Sequence, residues 1–244
     1  MEYPMIQPQL EYGTEGYCCV TAERPCRVTA YSLVAADEIR LVPDACEELI
    51  VLCGGENGGE RKFCLRPDKT TLTYIGTGRG ARYKACGIRL EPGFTFDIGD
   101  DPGKIAEDVF SGDSLSVARE SLLRAVFPRI VKRSDREIWD RLKEAAVSSG
   151  GRATVAGLAE RFGYTVRHFN NIFNEGAGCG PKSFCRFVRF QNALLEMSKA
   201  PGGENSSFIE RLSYADQAHF QREFKSFTGM TPKQFSGKYF MRKI

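Results

Sequence analysis

The chain has 244 residues, 42% of them hydrophobic and 27% charged, with a formal net charge of +3. That is the make-up of a folded protein with room for one large domain or two ordinary ones, and it excludes a disordered or fibrous chain. No run of about 18 apolar residues occurs, and MEYPMIQPQL lacks the basic start and apolar core of a signal peptide, so a cytoplasmic protein without membrane contact is expected.

Residues 1–100 read as short strands separated by turns. CRVTAYSLV (26–34), EELIVLC (47–53), TLTYIG (71–76), ARYKACGIRL (81–90) and GFTFDI (93–98) are rich in Val, Ile, Thr, Tyr and Phe, the residues that fit a pleated, half-buried surface. PDA, GGENGGE, RPDK, GTGRG and EPG lie between them as turn chemistry. The glycines Gly76, Gly78 and Gly80 lack the Lys-Ser/Thr and helix that a phosphate loop requires, so they are expected in a hairpin turn. An antiparallel β domain, a small barrel or sandwich, is expected over residues 1–104.

Seven of the nine cysteines precede residue 90 (Cys18, Cys19, Cys26, Cys46, Cys53, Cys64 and Cys86). No C-x-x-C pair is present, and the two histidines, His168 and His219, stand far off. Neither a metal site nor a cofactor is expected, and these thiols read as small buried hydrophobes.

From Pro102 the period becomes helical. SLSVARESLLRAVF (114–127) places Leu115, Ala118, Leu122 and Ala125 or Val126 on one face, and Pro128 ends it. Residues 105–134 are expected to be a helical linker. SDREIWDRLKEAAVSSGG then opens an all-α domain over 135–244. Residues 135–244 hold 17 Lys/Arg against 11 Asp/Glu, a balance of +6, and residues 1–134 hold 17 against 20, a balance of −3. The fold class is thus α+β multidomain, with a polyanionic partner for the basic half.

That half contains a duplication. His168-Phe169, Phe173, Gly178, Pro181 and Phe184 recur 51 residues later as His219-Phe220, Phe224, Gly229, Pro232 and Phe235. Each unit reads as helix, tight turn and second helix. In the first, TVAGLAERF precedes a Gly163-Tyr164-Thr165 turn and VRHFNNIFNE; in the second, FIERLSY precedes QAHFQREFKSF, capped by Asp216. This is helix-turn-helix spacing, in which the second helix enters the DNA major groove. With the aromatic stripe inward, Val166, Arg167, Asn170, Asn171 and Asn174 form one exposed arc, and Gln217, Ala218, Gln221, Arg222 and Lys225 the other. Arg, Asn and Gln pair bidentately with base edges, so both arcs suit base readout. PKSFCRFVRFQNALLEMSKA (181–200) is a rigid connector between the units, with Phe184, Phe187, Val188 and Leu195 on one side.

Residues 135–240 resemble the C-terminal domain of AraC-type (AraC/XylS) transcription regulators. YADQAHFQREFKSFT followed by GMTPKQF is similar to the family pattern G-[FY]-x-D-x-x-[HY]-F-x-[RK]-x-F-[RK]-x-x-x-G-x-[TS]-P. Ser213 stands where that family usually has Gly, Asn171 where it has Arg, and Ser236 where an Arg commonly closes the motif; Glu175 adds a negative charge to the first helix. In the N-terminal half, LVPDACEELIVLCGG with ACGIRLEPGFTFDI is similar to the β domain of an uncharacterised AraC-type subgroup, with signatures PDGC-x-D-L-I and G-[VI]-R-F-x-P-G; Glu48 stands at the usual Asp.

The resemblance implies a sequence-specific regulator that binds a double-stranded DNA operator, has no catalytic chemistry, and contacts RNA polymerase if it activates. It also implies a sensory or dimerising β domain, which would make a small-molecule effector or a second copy of the chain a partner. Tyr31, Tyr74, Tyr83, Phe94 and Phe96 are candidates to line an effector pocket, with Arg89 or Glu48 as orienting charge. The competing reading pairs Glu48 with Arg89 in the core. The alternative function is a DNA-targeted repair enzyme with a nucleophilic cysteine, against which the absent metal spacing and absent histidine partner count.

Overall fold

The computed structural model describes residues 3, 5, 7–23, 26–36, 38–54, 60–66, 70–76, 82–99, 102–111, 114–134, 137–199 and 207–241. A short helix α1 (Pro8–Gly13) leads into strands β1 (Glu15–Ala22), β2 (Val28–Ala35), β3 (Ile39–Leu41), β4 (Glu47–Gly54), β5 (Glu60–Leu65), β6 (Thr73–Ile75), β7 (Tyr83–Leu90) and β8 (Phe94–Phe96). Five of them form an antiparallel sheet in the order β1-β2-β7-β4-β5, and β3 pairs with β6 as a separate ribbon. The hairpin expected at Gly76–Gly80 falls on residues 77–81, outside the described residues.

Side-chain alternation divides the sheet into two apolar faces. Val28, Ala30, Leu49, Val51, Cys86, Ile88 and Leu90 pack with Phe94, Phe96 and two helices, α2 (Pro102–Val109) and α3 (Leu115–Val126). Tyr31, Leu33, Ile50, Leu52, Tyr83 and Ala85 face Leu10 of α1 and the ribbon residues Ile39, Leu41 and Ile75. Both faces are covered, so β4 reads as the unbroken run LIVLC and not as an alternating pattern. The expected antiparallel domain is present. Its cover is a helix pair on one side and a two-stranded ribbon on the other, and among the described residues β1 and β5 are the edge strands.

The segment 105–134 is not a linker. Helix α3 buries Ala118, Leu122 and Val126, the stripe its period predicts, against β2 and β7 of the sheet. Beyond it, β9 (Ile130–Lys132) pairs back with β8, Thr95 opposite Val131. An amphipathic helix beside an uncovered apolar sheet face loses free energy by standing apart from it, at roughly 25 cal/mol per Å² of apolar surface.

The helical half comprises α4 (Glu137–Ser148), α5 (Val155–Arg161), α6 (Val166–Ala177), α7 (Pro181–Lys199), α8 (Ser207–Arg211), α9 (Gln217–Thr228) and α10 (Pro232–Tyr239). Its core is a chain of rings: Phe173 lies 5.4 Å from Phe184, Phe190 5.4 Å from Phe224, and Phe224 5.3 Å from Phe235. Tyr3, Val42, Ala45 and Cys46 from the N-terminal half join the same core.

Candidate DNA-binding site

The duplicated units fold alike. Thr165 caps α6 by accepting the His168 N–H (3.3 Å), and Asp216 caps α9 by accepting the His219 N–H (2.6 Å). Gly178 and Gly229 end these helices at φ +70° and +71°, the left-handed conformation that glycine adopts without steric cost. Before the turns, the N–H of Tyr164 donates to Ala159 O (2.9 Å) and that of Tyr214 to Ile209 O (3.1 Å). The second turn is one residue longer, because Ala215 separates Tyr214 from the capping Asp216, whereas Thr165 follows Tyr164 directly. At the first turn's left-handed position stands Gly163 (φ +71°); at the second stands Ser213, forced to φ +57°.

The inner stripes are buried: Phe169, Ile172 and Phe173 on α6, and Phe220, Phe224 and Phe227 on α9. The opposite arcs face solvent. On α6, Val166, Arg167, Asn171 and Asn174 are exposed, while Asn170 is half-buried and donates Nδ2–H to Val166 O (2.7 Å). On α9, Gln217, Ala218, Gln221, Arg222 and Lys225 are all exposed. The Gln217, Gln221, Arg222 and Lys225 side chains make no hydrogen bond or ion pair among the described residues. The second arc therefore offers its donors and acceptors free, and the first has one amide turned back on its own helix.

A buried carboxylate that the sequence pattern did not single out fixes α9 to α7. Glu223 accepts from Arg186 Nε (2.8 Å) and Arg189 Nη2 (3.2 Å). The same guanidiniums lie over the rings of Phe227 (4.8 Å) and Tyr214 (4.7 Å), where cation–π attraction adds to the ion pairs. The available signal was an acid three residues after Phe220, on the inward side of the helix. The motif's end is closed by a capping box, with Thr231 accepting the Gln234 N–H and the Gln234 side chain accepting the Thr231 N–H.

The seven effector candidates do not line one cavity. Tyr31, Glu48, Tyr83 and Arg89 share the ribbon side of the sheet, Phe94 and Phe96 lie on the helix side, and Tyr74 is exposed beneath the Arg40 guanidinium (5.5 Å). Four of them are held by internal partners. The Tyr31 hydroxyl donates to Glu48 Oε1 (2.7 Å), and Arg89 Nε stands 3.6 Å from Glu48 Oε2, as the competing reading held. Tyr83 donates to Ile75 O (3.2 Å). Asp44 completes the group by pairing with Arg89 and, at 2.8 Å, with Arg66, and it accepts from Gln7 Nε2 (2.9 Å). Burial alone would raise the Asp44 carboxyl, yet Arg89 and Arg66 outweigh it and hold Asp44 below the ordinary carboxylate range. Glu48 has the longer contacts, so burial and the neighbouring Asp44 charge push it up. Asp44 and Arg66 sit in stretches read as turns, and their partners are remote in sequence.

Cys26, Cys46 and Cys86 are buried, Cys53 and Cys64 half-buried, and Cys18 and Cys19 exposed. Burial pushes the Cys26 and Cys86 thiols up to about 12, which suppresses the thiolate needed for nucleophilic or metal chemistry. Among the described residues no group of three His, Cys, Asp or Glu is placed to hold a metal ion, and no helix is long and apolar enough to cross a membrane.

A family model described as a helix-turn-helix domain matches residues 158–238, spanning both capped helices and the connector. Residues 158–238 thus carry a helix-turn-helix domain. Uncharacterised HTH-type transcriptional regulators of Staphylococcus aureus, in strains MSSA476 and N315, are 30% identical over 80 residues. That match spans 33% of this chain and 11% of each of those proteins. Among solved structures, the C-terminal domain of AraT, a response regulator from Geobacillus stearothermophilus, aligns with TM-score 0.40 and 18% identity, over 44% of this chain and 90% of that one. ToxT from Vibrio cholerae aligns with TM-score 0.46 and 8% identity, over 87% of this chain and 98% of that one. Helix-turn-helix units of this type bind DNA, and the second helix of each enters the major groove.

Proposed function

We propose that this protein is a sequence-specific DNA-binding transcription regulator whose two exposed helix arcs read successive major-groove segments of one operator. The observation that carries the reading is the matched pair of capped helices with their aromatics inward, α6 turning Arg and Asn outward and α9 turning Gln, Arg and Lys outward. Val166, Arg167, Asn170, Asn171 and Asn174 would contact one segment, and Gln217, Ala218, Gln221, Arg222 and Lys225 the next. The second unit is the stronger reader, because its arc carries Arg222 and Lys225 and keeps its amides unbound. In this reading the β half senses an effector or a second copy of the chain, and RNA polymerase is contacted if the outcome is activation. No catalytic step is part of it.

The test is selection of duplexes from a random pool by the full chain, followed by hydroxyl-radical footprinting of the winners. Two protected patches about one helical turn apart, roughly 34 Å, are expected. Protection of a single patch would make one unit structural. No enrichment at all would sink the reading.

A further inference from the structure

We infer that the cleft between the two helix-turn-helix units is a phosphate seat that receives a backbone phosphate of the duplex; the inference rests on the DNA-reading proposal above. The cleft is a cavity of about 580 Å³ walled by the approach to α5, one face of α7 and the flank of α9. Arg152, Lys182, Arg186, Arg189 and His219 line it, against the single carboxylate of Glu223. Lys182, Arg186 and Arg189 stand at i, i+4 and i+7 of α7, one stripe of that helix.

The charges in this cleft do not cancel. Glu223 is taken by Arg186 and Arg189 together, one carboxylate for two guanidiniums. Among the described residues Arg152 is held by carbonyls alone, Nε donating to Ser149 O (2.8 Å) and Nη1 to Arg211 O (3.5 Å). Lys182 makes no ion pair among the described residues. Both of these side chains are exposed. His219 accepts the Ala215 N–H at Nδ1 (3.3 Å), which places the proton of the neutral ring on Nε2 as a donor. The cleft thus offers several donors and surplus positive charge to one group rich in acceptor oxygens. A phosphate has that chemistry.

Position selects the source. One wall belongs to the first unit and another to the second, and His219 lies in the first turn of the second reading helix. Two reading helices one turn apart leave a stretch of sugar–phosphate backbone between them. A free phosphate or a phosphorylated metabolite shares the chemistry but has no need of walls from both units.

The experiment compares the full wild-type chain with Arg152→Gln/Lys182→Gln and with the charge-retaining Arg152→Lys/Lys182→Arg. Each is titrated against a selected duplex and an unrelated one over a salt series. The Gln pair should flatten the slope of log Kobs against log[salt] by about 0.9 for each phosphate it ceases to neutralise. It should weaken both duplexes by the same factor and leave the selectivity ratio unchanged, while the charge-retaining pair keeps the wild-type slope. Ethylation of a phosphate between the two protected patches should inhibit the wild type and not the Gln pair. An unchanged slope with unchanged ethylation interference overturns the seat and leaves the DNA-reading proposal standing. Wild-type protein that enriches no duplex defeats that proposal and takes the seat with it. In a separate arm, pyrophosphate is titrated calorimetrically into the DNA-free chain. Tight binding that the Gln pair abolishes, together with an unchanged salt slope on DNA, reassigns the cleft to a free ligand and overturns the inference.

Discussion

Two buried carboxylates share two guanidiniums in the β half, and the sharing is unequal. Asp44 has the short contacts and a carboxyl held down, whereas Glu48 is pushed up and its Oε2 lacks a hydrogen bond. A carboxyl lowered by folding gives stability that is present above its ordinary value, 3.8 for Asp44, and lost as pH falls through the lower folded value. A carboxyl raised by folding does the reverse, and stability drains away as pH climbs from 4.5 through the higher folded value of Glu48. Asp44→Asn should therefore cost about 3–5 kcal/mol at pH 7, because Arg66 and Arg89 lose their shared acid inside the protein. Glu48→Gln keeps an acceptor for the Tyr31 hydroxyl and should gain on the wild type as pH climbs above 4.5. Urea titrations over a pH series check both, and a Glu48→Gln loss at pH 8 as large as that of Asp44→Asn would invert the assignment. Ser213 supplies a simpler test. Its φ of +57° is uncomfortable for any residue with a Cβ, and the site is exposed. Ser213→Gly should raise stability by about 1 kcal/mol with no change in any contact, read as a higher melting temperature.

At the scale of the helix, inward and outward residues of α9 should separate cleanly. Phe224 is fully buried between Phe190, Phe220 and Phe235, and Phe224→Ala should cost about 3–5 kcal/mol of stability. Arg222 is exposed and makes no hydrogen bond or ion pair among the described residues, so Arg222→Ala should leave the melting temperature alone and weaken operator binding by about 1–3 kcal/mol. The reverse pattern would mean that the faces of α9 are exchanged. This division was legible in the sequence because the aromatic spacing and the 51-residue repeat are both local, and the caps Thr165 and Asp216 announce the same helix starts. Glu223 was not legible, since an acid on the inward side gains its meaning only from Arg186 and Arg189, thirty-odd residues earlier on α7. The place of helix α3 was hidden for a related reason. Its apolar stripe at Ala118, Leu122 and Val126 was plain, but the strands β2 and β7 that cover it lie far back in the chain.

The whole molecule is joined across the boundary that the charge asymmetry suggested. Tyr3 stacks near Phe184 (5.4 Å) and donates to Asp44 O, so one residue touches both the connector helix and the buried ionic group. Trp139 of α4 lies against Gly176 of α6 and against Gly93 in the turn before β8, where a Cβ would collide with the indole. Lys143 pairs with Glu91 (3.1 Å), Arg133 with Glu47 (3.6 Å), and Gln191 Nε2 donates to Pro43 O (3.5 Å). Leu72 reaches the glycine that ends α9. A coupling of about 1–3 kcal/mol between an effector and the operator is a difference in packing free energy between two arrangements of the halves, and the shared core gives the two halves common contacts through which it can act. Two halves that share a core should unfold together. Calorimetry of the full chain should give one transition, with coincident far-ultraviolet and tryptophan signals, and Tyr3→Ala should lower that transition without splitting it. If Tyr3→Ala instead produced an early β-half transition while the operator footprint survived unchanged, the packing at Tyr3 would be mere attachment. Any message from the β half would then have to travel by the other contacts between the halves, among them Trp139 on Gly93, Lys143–Glu91, Arg133–Glu47 and Gln191–Pro43.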